Sequence, residues 1–346
     1  MGAAVMPSAA QQIKQQVRQC HIDDIDDLPS FLAEQTIPIV IKDVCTHWPM
    51  VEQAKQSDQQ ALSYLKSLAS DSPVRAFSAP AKERGRYFYN AQMSGFNFSQ
   101  YASNLVALLG QLEQAKTIAE PDSYYMGSTA CDYCAPQFIA NNPLQVTPHK
   151  CLKSLWVGNH SQIAAHYDNA DNLACVAAGS REFILFPPEQ VDNLYIGPLE
   201  FTPAGQAVSL VDFAEPDLER FPRFAQALQN ALSAKLAPGD GIFIPALWWH
   251  QVSAQGEFNV LVNYWWRQAA VHLANPFDAL LHSMLAIKDL PASHKANWQT
   301  FFNHYVFNDN SRLGEHTPDD VKGILGEVDE LTARKIRQLL LQKLNR

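Results

Sequence analysis

A chain of 346 residues with 47% hydrophobic and 18% charged residues can bury at least one sizeable core. Its formal charge of −9 offers no basic footprint of the kind a phosphate backbone requires, so nucleic acid is a weaker default partner than protein or a small acid. No stretch approaches the roughly 20 apolar residues needed to cross a bilayer, and Met1 to Ala10 lacks a basic segment followed by an apolar run, so no membrane contact and a cytoplasmic location are expected.

Residues 1–122 read as a mixed helix and strand part that packs on a barrel formed by the middle of the chain. Ile37-Pro38-Ile39-Val40-Ile41-Lys42 predicts a short buried strand entered at a proline, and residues 74–77 and 86–89 predict two more. A helix is predicted over 60–68. A second is predicted over 98–112, where Tyr101, Leu105, Leu108, Leu109 and Leu112 fall at helical spacing. The six cysteines are scattered through a chain too long to need disulfide staples, and reduced thiols are the simplest reading. Cys131-Asp132-Tyr133-Cys134 is a lone C-x-x-C with no second pair, which leaves a zinc or redox role open without pointing to it.

From about residue 123 to 267 the pattern changes to short β-rich runs separated by turn residues. Tyr124 to Met126, Leu155 to Val157, Leu173 to Ala177, Phe183 to Phe186, Gly241 to Ile244 and Phe258 to Trp266 favour a barrel or sandwich. Residues 187–237 form an insertion between strands, predicted to be helical over 221–236, of the length that often serves as a lid. After Arg267 the strands stop. Residues 268–346 predict helices over 276–288 and 330–344, with a capped start at Thr317-Pro318-Asp319-Asp320. Their apolar faces are wide enough to pack on the barrel or to form a homodimer, and the sequence leaves both open.

The chemistry concentrates at His166-Tyr167-Asp168. In an extended segment side chains alternate, so His166 and Asp168 share one face while Tyr167 points away. A third donor must come from a distant strand, and His250, just after Ile242-Phe243-Ile244-Pro245, can supply it. Two imidazoles and one carboxylate leave three coordination positions open, the facial triad of Fe(II) oxygenases. The bland alternative is a satisfied core histidine beside a surface aspartate.

Several further stretches occur in a consistent order: Phe183-Ile184-Leu185-Phe186-Pro187-Pro188-Glu189-Gln190, Pro238-Gly239-Asp240 with Ile244-Pro245, Trp248-Trp249-His250, and Val262-Asn263-Tyr264-Trp265. Together with Ala165-His166-Tyr167-Asp168, and more weakly Thr46-His47-Trp48-Pro49, the chain over about residues 30–267 resembles the JmjC/cupin-like family, and within it the asparaginyl hydroxylases. The resemblance implies a mainly β fold with flanking helices: a double-stranded β-helix core plus a C-terminal helical segment. It implies His166, Asp168 and His250 as iron ligands, with 2-oxoglutarate and O2 as cosubstrates. Tyr125 matches a tyrosine that grips the far carboxylate of 2-oxoglutarate, Asn172 and Asn263 match asparagines near the cosubstrate, and Trp265 matches a wall on the substrate side. The bland alternative for Tyr125 and Trp265 is that they are simply core aromatics.

Two positions depart from the pattern. Where the asparaginyl hydroxylases carry a lysine, this chain has Arg181, which can grip a carboxylate with two parallel hydrogen bonds but is longer and planar; as a plain strand cation it would face solvent. Where they carry a threonine hydroxyl, this chain has Ile163. The expected activity is an Fe(II)- and 2-oxoglutarate-dependent hydroxylase of a protein side chain (Asn, Asp or His). A tRNA-modifying hydroxylase, a lysine demethylase, and an inactive metal-binding scaffold or sensor are the other readings.

Overall fold

The computed structural model describes residues 7–203 and 205–345; residues 1–6, the start of the segment expected to lack a leader, lie outside the described residues. The chain divides into two compact units, one ending at Arg267 and the other beginning at Gln268.

In the first unit the strands, in chain order, are β1 (Gln15–Gln16), β2 (Arg18–His21), β3 (Ile39–Lys42), β4 (Val74–Ala79), β5 (Arg86–Tyr87), β6 (Ser99–Ser103), β7 (Ser123–Ala130), β8 (Cys151–Gly158), β9 (Ser161–His166), β10 (Asp171–Phe186), β11 (Leu232–Leu236), β12 (Gly241–Ile244) and β13 (Trp249–Trp266). Two of them organise the rest. β10 and β13 pair antiparallel almost end to end, from Asp171 opposite Trp266 to Phe186 opposite Trp249. One half of this ribbon belongs to a large sheet in the order β2-β3-β12-β10-β13-β8-β7-β4-β6; the other half pairs with β11 and, through β13, with β9 and then β5. Two long strands shared between two sheets make the double-stranded β-helix of a cupin core.

The ribbon bends where the register shifts between Val176 and Ser180. Gly179 sits there with φ +71°, and a Cβ would come within 2.2 Å of Asn259 Oδ1 and 2.6 Å of the Phe258 carbonyl oxygen, so only glycine fits the bend.

The two faces of the large sheet have different work. Met126, Leu155, Val157, Val260, Val262 and Tyr264 point to one side and join a core with the helices Pro49–Gln56, Asp58–Leu68 and Leu105–Ala115. At about 1.5–3 kcal/mol for each fully buried large side chain, this layer is the stable scaffold. The other face carries a second apolar cluster, with Val40, Ala174, Val176, Ile242 and Leu261, and among it the polar side chains of Asn172 and Asn263.

In the first unit three expectations are corrected. Residues 98–112 are not one helix: Ser99–Ser103 is a strand paired with β4, and the helix runs Leu105–Ala115 from Asn104, whose side chain accepts a hydrogen bond from Ala107 N at 2.8 Å. Pairing with the sheet overrides the helical spacing, and the cap resets the start. Residues 221–236 split in the same way, into a helix Phe224–Gln229 and β11, which pairs with the Arg181–Leu185 half of β10. The segment 187–237 is also a packed layer in part, since Leu194, Val211, Phe213, Phe221 and Phe224 share a core with Phe186 and Trp249.

The second unit contains the helices Pro276–Ile287, Ala292–Phe302 and Glu330–Leu344. At 317–320 the expected capped helix is a single 3-10 turn, Asp319–Val321, without a side-chain cap. Ala333 is the one buried apolar side chain of this unit among the described residues, while Leu280, Leu281, Leu285, Leu339, Leu340 and Leu341 are exposed. No helix among the described residues is long and apolar enough to cross a membrane. All six cysteines are free thiols. Cys131 and Cys134 are buried, and burial pushes both thiols up, Cys134 to about 12, which makes them poor nucleophiles.

Candidate metal centre

β9 ends at His166, and β13 begins at Trp249. The two strands pair antiparallel with His166 directly opposite His250. Their imidazole centroids lie 4.4 Å apart. Alternation sends the neighbouring residues the other way: Trp249 joins the outer core, and Tyr167 packs edge-on against it at 4.9 Å. Asp168 follows on a short loop tied to the approach of β13, where Leu247 N donates to the Asp168 carbonyl at 2.8 Å.

The protein fixes the tautomer of each imidazole. His166 Nδ1 lies 2.9 Å from the Ala164 carbonyl, and His250 Nδ1 lies 3.0 Å from the Trp248 carbonyl. A carbonyl only accepts, so each Nδ1 carries a proton, and Nε2 is the atom each neutral ring would offer to an ion. Burial, followed by the nearby His166, pushes the His250 pKa down to about 4, which keeps that ring neutral and ready to bind a cation. Among the described residues, His166, Asp168 and His250 form the one group of three or more metal-ligating side chains whose donor atoms all lie within 4.8 Å of one another. Two imidazoles and one carboxylate suit a divalent first-row ion with positions left open. Cys131 and Cys134 belong to no such group.

The Asp168 carboxylate is itself held. Its Oδ2 accepts from Trp265 Nε1 at 3.0 Å and from Asn172 Nδ2 at 3.3 Å, while Asn172 Oδ1 accepts from Asn263 Nδ2 at 2.7 Å. Trp265, expected as a wall on the substrate side, thus reaches a proposed ligand directly.

A cavity of about 50 Å³ opens from the three donors into the barrel, and it brings together Tyr125, Asn172, Arg181, Asn263 and Trp265. Ile163, Phe183, Val252 and Leu261 form its apolar walls. Arg181 is 5% exposed, so it is no solvent-facing strand charge. Burial draws its pKa down to about 10, which leaves it a cation at neutral pH. Buried polar atoms in folded proteins nearly always find partners. Here Arg181 Nη1, Trp156 Nε1 and Asn263 Oδ1, all in residues lining this cavity, have none among the described residues. A buried cation, an indole N–H and the Tyr125 phenol suit an anionic ligand with a carboxylate at the Arg181 end. Trp156 was missed in the sequence: it reads as one more apolar residue of β8, and only the alternation that buries Leu155 and Val157 on the other face turns it toward the cavity.

The Cupin-like domain family matches residues 27–271. The chain is similar to the lysine-specific demethylase JMJ31 of Arabidopsis thaliana, with 34% identity over 121 residues, 34% of this chain and 22% of that protein. It is similar to the tRNA wybutosine-synthesizing protein 5 of Danio rerio, with 37% identity over 170 residues, 43% of this chain and 47% of the relative. With the Jumonji C domain-containing protein 5 of Drosophila melanogaster it shares 27% identity over 260 residues, 72% of this chain and 59% of the other. The matches thus span from about a fifth to three fifths of these relatives' lengths.

Proposed function

The chain belongs to the cupin-like domain family, and from that premise we propose that it is an Fe(II)- and 2-oxoglutarate-dependent oxygenase that hydroxylates a side chain of a protein. The observation that carries this reading is the convergence of His166, Asp168 and His250 beside a cavity that ends in an unpartnered buried cation. The iron, with 2-oxoglutarate and O2, supplies oxidative decarboxylation of the 2-oxo acid to succinate and CO2, coupled to insertion of one oxygen atom into a substrate C–H bond.

The chain's residues do the rest. His166 and His250 offer Nε2 to the ion, each ring fixed by a backbone carbonyl, and Asp168 offers its carboxylate from a position set by Trp265 and Asn172. Arg181 and the Tyr125 hydroxyl take the far carboxylate of 2-oxoglutarate, and arginine's fork allows two parallel hydrogen bonds. Ile163, Phe183, Val252 and Leu261 keep water from the cosubstrate's carbon chain.

Release of succinate from 2-oxoglutarate by the iron-loaded protein, lost in His166→Ala, is the test. Succinate no higher from the wild type than from His166→Ala would leave a metal-binding scaffold instead. A gain of one oxygen atom in a protein substrate, rather than in tRNA or as demethylation of lysine, separates the hydroxylase from the activities that two of the relatives are named for. We also propose that the exposed leucines of the second unit mark a homodimer surface.

A further inference from the structure

A second and larger cavity, of about 310 Å³, shares Tyr125, Trp156, Ile163 and His166 with the first. Its floor follows from strand register. Phe77 on β4 lies opposite Gln100 of β6 on one side and Tyr125 of β7 on the other, so all three share one face of the sheet, and Arg75, two residues before Phe77, shares it too. This face also carries Trp156. The floor is aromatic: Phe77 lies 5.8 Å from Phe98 and 5.9 Å from Tyr125, and Tyr125 lies 5.9 Å from Trp156. Thr202 and Pro203, from the long segment before β11, close one side.

Among the residues that line this cleft, Arg75 is the one Lys or Arg, and no Asp or Glu accompanies it. Its side chain is exposed and makes no ion pair or hydrogen bond with a described residue. In a chain with a formal charge of −9 an uncompensated cation at the mouth of a cleft beside His166 selects for charge.

We infer that this cleft receives a polypeptide segment and that Arg75 selects one with an acidic side chain close to the residue that reaches the metal centre. The inference rests on the proposed oxygenase activity and adds the substrate class. One guanidinium serves one carboxylate, by two parallel hydrogen bonds. A nucleic acid spreads its charge over many phosphates and needs several cations, which this cleft lacks. The aromatic floor gives apolar side chains of the segment a surface to pack on. β6 ends the strand order, so its outer edge can pair with an extended chain that lays alternate side chains toward Phe98 and Gln100.

The test is retention of a library of short blocked peptides, each with one fixed Glu, Gln or Lys, on the immobilised full chain. The wild type is expected to retain the Glu peptides about tenfold better than the Gln peptides, the ratio that one such contact supports. Arg75→Glu, at an exposed position, is expected to melt with the wild type and to reverse the preference toward Lys. Phe77→Ala is expected to weaken all three classes together. Retention of no peptide, retention without charge preference, or a Glu preference that survives Arg75→Glu would each overturn the inference. So would Arg75-dependent retention of a single-stranded RNA oligonucleotide in place of peptides. The oxygenase reading is scored separately by succinate: charge-selective retention without succinate sinks that reading alone, and succinate without charge selection sinks this one alone.

Discussion

Trp265 Nε1 donates a 3.0 Å hydrogen bond to Asp168 Oδ2, joining the end of the last strand to the loop that follows β9. With one carboxylate oxygen engaged in this way, the carboxylate turns less freely, and the other oxygen keeps its lone pairs.

Trp265→Phe keeps an aromatic ring and removes the donor. Partners of this kind typically contribute 10–100-fold to metal affinity or activity. The variant is expected to bind Fe(II) about tenfold more weakly in a competition titration while melting close to the wild type. Unchanged iron affinity would make Trp265 a packing residue only.

Arg181 gives a prediction with two signs. Hydrogen bonds to charged groups contribute about 1.5–3 kcal/mol, so Arg181→Met should raise the concentration of 2-oxoglutarate needed for half-maximal succinate release by about 10–100-fold. In the ligand-free protein the same change removes a buried cation that lacks a full set of partners, and the melting temperature should rise or hold. A drop in that temperature together with normal use of 2-oxoglutarate would contradict both halves.

His250 makes the metal-free protein sensitive to acid. Its pKa in the folded chain, about 4, lies below the ordinary 6.5, so the unfolded chain binds the proton more tightly. Its contribution is present above pH 6.5 and is lost as the pH falls from there toward 4, by at most about 1.4 kcal/mol per pH unit. Thermal melts of the metal-free protein between pH 7 and pH 5 should show a steeper loss than His250→Gln, and equal slopes would count against it.

The helical unit offers a test by mass. Leu281→Glu with Leu340→Glu places charge on two exposed apolar positions. Light scattering is expected to find a dimer for the wild type and a monomer for the double variant, with succinate release used to check that the first unit is intact. A wild-type monomer would end the proposal.

The centre was legible because its parts are local or chemically distinctive. A histidine and an aspartate two residues apart and a histidine after a proline-broken strand stand out in the sequence, whereas Arg181, between Ser180 and Glu182, stands out only against the pattern of the family it resembles. What stayed hidden depends on pairing between distant segments. Tyr101, Leu105 and Leu108 have helical spacing, yet Tyr101 lies in a strand because β4 offers it an edge. Leu232 and Leu236 continue the helical pattern of residues 221–231, yet β10 draws them into the sheet. The tie from Trp265 to Asp168 could not be read from either residue, since it depends on Asn172 and Trp265 standing opposite each other across two strands.

One strand connects both ends of the small cavity. Asn172, beside Asp168, and Arg181 both lie on β10, and between them runs the kink at Gly179. The main chain therefore sets the spacing between the two ends, and under the proposed binding mode the backbone of β10 gauges the length of the acid that fits. Adding or deleting one residue within the kink would shift the period-two alternation of the strand beyond it and turn Arg181 away from the cavity.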